Sequence, residues 1–166
     1  MRRYAYVGPD EIAKRNHVTA RYHIRSARDV VTFLKESRCE ADVDGAYTAT
    51  FVILDDGLWI ADRRSEHVAC ARVGDVRSAG ELRFTVSSAN IEIVEVSNQS
   101  TGYCPEPESW PAVANAFAQL AILHPSQFTQ SVVFRRCNGC QSRLIVKHEH
   151  FVCDVCCAPL AAEWNF

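Results

Sequence analysis

Four cysteines near the C-terminus are the residues whose type and spacing most clearly indicate chemistry. They form two Cys-x-x-Cys pairs, Cys137 with Cys140 and Cys153 with Cys156, and twelve residues separate the pairs. Two residues between thiolates let one tight turn place both sulfurs on one edge of a tetrahedron, about 2.3 Å from a zinc ion. Short apolar segments between the pairs favour a β-hairpin, which brings the second pair onto the opposite edge. The sequence therefore predicts one structural Zn²⁺ bound by four thiolates.

The segment 134–160, about a sixth of the chain, resembles the zinc-ribbon class. This resemblance implies a four-cysteine zinc site. It implies no single activity, because ribbons occur in transcription factors, ribosomal proteins, enzymes and assembly adaptors. Gln141 follows the first pair, where a rubredoxin-like iron site typically has Gly, and the pairs of such iron sites lie much farther apart. Zinc is therefore favoured over iron, and Cys157, next to Cys156, is an alternative fourth ligand.

Two helices are predicted from capping signals and apolar periodicity. Ser26 stands three residues before Asp29, which is a capping-box variant at the start of a predicted helix over 26–37. Ser109 is a suitable N-cap for a second helix, since Pro111 is tolerated in the first turn. Both helices are amphipathic, so we expect them to pack on a sheet.

Strand-forming residues alternate with turn residues between 46 and 98. The Asp-Asp-Gly turn ending at Gly57 predicts a hairpin between two strands, because Gly accepts the positive φ that such turns require. Five strand candidates result, which we expect to form an antiparallel meander: 47–54, 58–61, 67–72, 81–86 and 91–97. The predicted fold class is α+β, with a small antiparallel sheet packed against two helices and followed by the four-cysteine zinc-ribbon hairpin.

The chain contains no flexible linker, which bears on its domain organisation. We predict an α+β domain over residues 1–130 and a zinc ribbon over 131–166 docked on it. The N-terminus lacks the apolar run of a secretory signal, and no later run reaches the roughly 18 apolar residues that a membrane span needs. A cytoplasmic protein follows as the expectation, and in that compartment reduced thiols favour metal binding over disulfides.

A polar loop over residues 98–108 connects an apolar strand to the second helix. Such a connection is a place where backbone amides and loop side chains receive a ligand or a partner. Asn, Ser, Gly and Pro also suit any irregular turn, so a plain structural connection is the alternative. The candidate ligand or partner residues are Asn98, Gln99, Ser100, Thr101, Tyr103 and Glu106.

A weaker pattern suggests acid, base and nucleophile chemistry. If His67 lay near Cys70 or Cys104, an imidazolium could lower the thiol pKa as nucleophilic catalysis requires. Glu81 is the remaining candidate acid or base. Cys70 lies in an apolar run, however, where a buried and inert thiol is the commoner outcome. An enzyme with a cleft near His67, Glu81 and the polar loop is therefore an alternative and not the favoured interpretation.

The ribbon segment is locally basic, which raises the possibility of nucleic-acid binding. The whole chain has a formal net charge of −2, whereas most nucleic-acid-binding proteins are strongly basic. The favoured function is a zinc-stabilised, non-catalytic module that binds a protein partner, and a nucleic-acid-binding ribbon is the alternative. The candidate nucleic-acid contacts are Arg135, Arg136, Arg143 and Lys147.

Overall fold

A five-stranded antiparallel sheet forms the centre of the fold in the computed structural model. The structure describes residues 2–15, 20–37, 39–87, 90–120 and 122–166. Helices pack on both faces of the sheet, and a C-terminal hairpin carries the cysteines. The predicted α+β class is therefore confirmed.

The strands follow an order in the sheet that differs from their order in the chain. Strand Ser78–Val86 pairs with Tyr47–Leu54 and not with Gly57–Asp62, because Arg21–Ile24 lies along the outer edge of Gly57–Asp62. A simple meander is therefore not formed, although every pairing is antiparallel. The order is β1-β3-β2-β4-β5, where the strands are β1 (Arg21–Ile24), β2 (Tyr47–Leu54), β3 (Gly57–Asp62), β4 (Ser78–Val86) and β5 (Ile91–Val96).

Both helices predicted from capping signals are present, although Ser109, the predicted N-cap of the second, lies in a 3₁₀ turn and its hydroxyl is bonded to that of Ser78 at 2.9 Å. In the first, the backbone N–H of Arg25 and the hydroxyl of Ser26 donate to the Asp29 carboxylate at 2.9 and 3.0 Å, so the cap is supplied by this carboxylate, and the Asp29 N–H donates to the Ser26 carbonyl and not to its hydroxyl. None of the described helices has the length and apolar character needed to cross a bilayer. The helices are α1 (Asp10–Arg15), α2 (Ala27–Ser37), α3 (His67–Cys70) and α4 (Trp110–Leu120), and a 3₁₀ turn over Pro107–Ser109 precedes α4.

The prediction of a strand over 67–72 was wrong. The segment forms the short helix α3, and Arg72 and Val73 then take left-handed φ values of 52° and 64°. Consecutive residues of α3 are buried, and a short apolar run of this kind has no period that distinguishes helix from strand. The sequence also gave no signal for β1, whose four residues are mostly polar.

Alternate residues of the central strands belong to two separate apolar clusters, one on each face of the sheet. Phe51 packs with α2 and α4, where Phe33 and Phe117 are fully buried. Val52, the next residue of β2, packs on the opposite face with Tyr103 and α3. This two-sided burial explains why β2 is apolar along most of its length.

The C-terminal segment forms a second, two-stranded sheet from β6 (Val133–Arg136) and β7 (Arg143–Val146), a hairpin that encloses the first cysteine pair. The hairpin predicted between the two pairs is not a ladder: the structure has an isolated bridge between Lys147 and His150 there, and Val152 bridges to Pro159. Contacts cross the predicted boundary at residue 131. The Arg143 guanidinium donates to the carbonyls of Val7 and Thr101 at 2.9 and 2.7 Å. The division into two domains stays a prediction, and these contacts describe how the hairpin meets the rest of the chain.

Candidate metal centre

The four cysteine sulfurs lie together, all within 4.8 Å of one another. The Sγ atoms of Cys137 and Cys156 are 3.5 Å apart, and those of Cys140 and Cys153 are 3.6 Å apart. Four sulfurs bound to one zinc at about 2.3 Å in a regular tetrahedron are separated by roughly 3.8 Å. The donor set therefore has the size and the number of ligands of a tetrahedral metal site.

Two turns of matching geometry hold the sulfurs. The backbone N–H of Gln141 donates to the carbonyl of Cys137, and that of Cys157 donates to the carbonyl of Cys153, both at 2.9 Å. Gln141 and Cys157 have φ values of 62° and 60°, so each turn ends in a residue with the left-handed backbone conformation. Equivalent bonds of 2.9 Å close the turns, from Cys137 N–H to the Ser142 carbonyl and from Cys153 N–H to the Ala158 carbonyl.

The match between the two cysteine turns shows which position Cys157 holds. It occupies the same position in its turn as Gln141 does in the first turn, and it is exposed. The sulfur that joins the cluster belongs to Cys156. The geometry therefore favours Cys156 over Cys157 as the fourth ligand, and Cys157 completes the turn.

Hydrogen bonds prepare some of these thiols for ionisation. The Ser142 hydroxyl lies 3.3 Å from Cys140 Sγ, and together with the Ser142 backbone N–H it lowers the pKa of Cys140 to about 6. The Cys140 backbone N–H contributes most to a lowered pKa at Cys137. Thiolates are the form that binds metal, so these donors suit the site to a thiophilic cation.

The thiols also affect one another. The Ala158 backbone N–H lowers the pKa of Cys156. Hydrogen bonding to the Cys137 sulfur, burial and the other two cysteines raise this pKa by more, so that the net result is a pKa of about 12. Four thiolates this close repel one another, and a divalent cation among them relieves that repulsion. The chemistry of the donor set thus fits a bound Zn²⁺.

The polar loop is held by the rest of the protein. Asn98 is fully buried: its amide donates to the carbonyls of Pro105 and Val132 at 2.8 and 2.7 Å, and its carbonyl accepts from Val132 N–H at 2.7 Å. Tyr103 is also fully buried, and its hydroxyl donates to the Gly74 carbonyl at 2.9 Å. Ser100 is buried as well, whereas Gln99 and Thr101 are exposed. Asn98 and Tyr103 therefore fix the loop in place, whereas the buried Ser100 hydroxyl has no hydrogen-bond partner within the described part of the chain.

Arg135 joins this loop to the C-terminal tail, residues 159–166. Its guanidinium is paired with the Glu106 carboxylate at 2.7 Å, and both side chains are buried. It also donates to the carbonyls of Ala161 and Ala162 at 3.1 and 2.7 Å. A guanidinium occupied in this way is not available to a phosphate group, which removes one of the four predicted nucleic-acid contacts.

The other basic residues of the ribbon differ in their surroundings. Arg136 and Asn165 exchange two hydrogen bonds of 2.9 and 2.7 Å, and the Arg136 guanidinium lies 5.3 Å from the ring centroid of Phe166. Arg143 donates to two backbone carbonyls, as described above, although its residue is exposed. Lys147 is exposed. These basic residues, except Lys147, serve internal contacts that no local sequence signal indicated.

The candidate catalytic residues do not form a reactive pair. His67 Nε2 lies 2.9 Å from the Gly80 carbonyl, and burial lowers the pKa of this imidazole. Burial raises the pKa of both Cys70 and Cys104 to about 12. Glu81 is exposed. Neither thiol has the lowered pKa that a nucleophilic cysteine requires.

Comparison with known proteins yields no match, whether to a protein-family model, a curated protein or a solved structure.

Proposed function

We propose that Cys137, Cys140, Cys153 and Cys156 bind a single Zn²⁺ that stabilises the C-terminal ribbon. The spacing of the four sulfurs, close to that of a tetrahedron, is the observation that carries this proposal. Catalytic zinc keeps one coordination position for water or substrate, whereas four protein thiolates fill the shell. The zinc is accordingly structural.

The same protein acts as a non-catalytic module that binds a protein partner. The raised thiol pKa values of Cys70 and Cys104 argue against a cysteine nucleophile. In the polar loop, the side chains of Asn98 and Glu106 bind other parts of the chain, so the exposed face of the ribbon is the better candidate surface. Val155, in the second cysteine turn, is 65% exposed, and in the sequence it stands between the exposed residues Asp154 and Cys156.

A nucleic-acid partner has less support. Arg135 is buried in an ion pair, the Arg136 guanidinium lies over the Phe166 ring, and the Arg143 guanidinium donates to two backbone carbonyls. Lys147 alone gives little of the salt-sensitive phosphate binding that a nucleic-acid binder depends on. A protein partner is therefore favoured.

Co-purification of the tagged protein from its own cells tests the binding proposal. Val155→Asp places a charge on the ribbon face, and Val43→Asp is the matched control, because Val43 is fully exposed at 102% and far along the chain from the four clustered cysteines. We expect at least one protein to co-purify stoichiometrically with the wild type and with Val43→Asp, and to be lost with Val155→Asp. The same set of proteins with all three forms would contradict binding through this face.

A further inference from the structure

A cavity of about 480 Å³ lies where three segments of the chain meet. Its lining comes from Arg2 and Tyr4 near the N-terminus, from the end of the polar loop and the turn before α4, and from the C-terminal tail. Arg135 contributes from β6. We call this the seam cavity. Its volume lies in the range of about 300 to 1,000 Å³ that is usual for small-ligand sites.

The charges of the seam cavity leave an excess of carboxylate. Arg135 and Glu106 neutralise each other in their buried pair. The other lining charges are Glu108, Glu163 and Arg2, which sum to −1. Within the part of the chain that the structure describes, neither Glu108 nor Glu163 forms an ion pair. Two carboxylates without a basic partner therefore border the cavity.

Two aromatic residues, Tyr4 and Trp164, also line the cavity, and contacts within the chain hold Trp164 in place. Trp164 donates its Nε1–H to the Cys104 carbonyl at 2.8 Å, and its ring meets that of Tyr4 edge to face with 5.5 Å between centroids. The Arg2 guanidinium lies 5.0 Å from the Trp164 ring centroid. An indole of this kind attracts a cation through its ring quadrupole, and the chain's own guanidinium already uses that attraction.

We propose that the seam cavity binds a guanidinium or primary ammonium group, which replaces the exposed Arg2 guanidinium at the Trp164 ring and has Glu108 and Glu163 as its charge partners. An anion is disfavoured, because the donors of Arg135 are directed to Glu106 and to the tail carbonyls. The group can belong to a small organic amine or to an Arg or Lys side chain of another protein. Both sources share the chemistry that the cavity recognises.

Titration of the zinc-loaded full chain, followed by the NMR signal of the Trp164 indole N–H, tests the proposal and separates the two sources. The probes are agmatine, a blocked Gly-Gly-Arg-Gly-Gly peptide, and the same peptide with citrulline, which keeps the shape of arginine without its charge. We expect agmatine or the arginine peptide to shift the Trp164 signal saturably, and the citrulline peptide to bind at least about tenfold more weakly. Tighter binding of the peptide identifies a side chain as the ligand, and tighter binding of agmatine identifies a small molecule.

A pair of charge-matched variants shows whether the carboxylates act locally. Each exposed carboxylate contributes up to about fivefold in affinity, so Glu108→Gln with Glu163→Gln should weaken binding by up to roughly 25-fold. Glu92→Gln with Glu149→Gln makes the same change of charge at exposed positions outside the cavity and should leave the affinity unchanged. The proposal is overturned if neither cationic probe shifts Trp164, if the citrulline peptide binds equally well, or if both double variants weaken binding alike. Such a result would leave the zinc proposal intact, because metal content is measured separately.

Discussion

At the scale of single residues, Cys156 and Cys157 are neighbours to which the geometry gives different roles. The Cys156 sulfur belongs to the cluster, whereas Cys157 is the left-handed residue that ends the turn. We predict that Cys156→Ser loses the metal and that Cys157→Ser keeps one zinc per chain, as measured by metal analysis of the purified variants. Cys157→Gly should also keep the metal, because Gly adopts a positive φ without steric cost. Metal loss in Cys157→Ser with retention in Cys156→Ser would reverse the assignment.

Asn98 and Gln99 are a second pair of neighbours with different surroundings. Asn98 satisfies three backbone groups, on Pro105 and Val132, whereas Gln99 is exposed. Asn98→Ala should lower the free energy of unfolding by on the order of 3 kcal/mol, because it leaves buried polar groups without partners. Gln99→Ala should change it by less than about 0.5 kcal/mol. Urea denaturation measures both, and equal small effects would show that the loop is not a structural brace.

At the scale of elements, the start of α2 depends on one carboxylate. Hydrogen bonds from the Arg25 backbone N–H, and then from Ser26, lower the pKa of Asp29. A lowered folded-state pKa means that the stabilisation is complete above the unfolded pKa of about 3.9 and is lost as the pH falls through the folded value. Asp29→Asn should therefore cost about 0.5 to 1 kcal/mol at pH 7 and progressively less below about pH 4.

Thermal unfolding of wild type and variant at matched pH values measures this difference. Any metal lost in acid is lost by both proteins, so the comparison isolates Asp29. Glu92→Gln, at an exposed position of β5, is the control for a general charge effect and should show no such pH dependence. A cost for Asp29→Asn that stays constant from pH 7 to pH 3 would contradict the capping role.

The helices and strands that the sequence predicts correctly are those that interactions between nearby residues determine. The cap of α2 and the hairpin of β2 and β3 depend on residues within a few positions of one another. The position of β1 on the outer edge of β3, and the pairing of β4 with β2, depend on competition between distant strands. The helix α3 was missed because its apolar residues are buried together on the sheet, and that burial is a tertiary property.

At the scale of the whole molecule, the same distinction applies to the candidate site. The four cysteines could be identified because a tight turn imposes the Cys-x-x-Cys spacing. The burial of Arg135 could not, because its partners Glu106, Ala161 and Ala162 lie 26 to 29 positions away in the chain. Arg135 lies two residues before Cys137, and the tail follows Cys156, so the metal hairpin lies between the two segments that close on each other. Folding of the ribbon and assembly of the seam are therefore expected to be linked.

Metal analysis by native mass spectrometry, on protein purified without added metal, tests the central claim most directly. We expect one Zn²⁺ per chain, which is lost in Cys137→Ser, and a lower melting temperature after chelation, because zinc that binds only the folded C-terminal segment stabilises it. Protein that carries iron instead, or that contains no metal and melts at the same temperature with and without zinc, would contradict a structural zinc site.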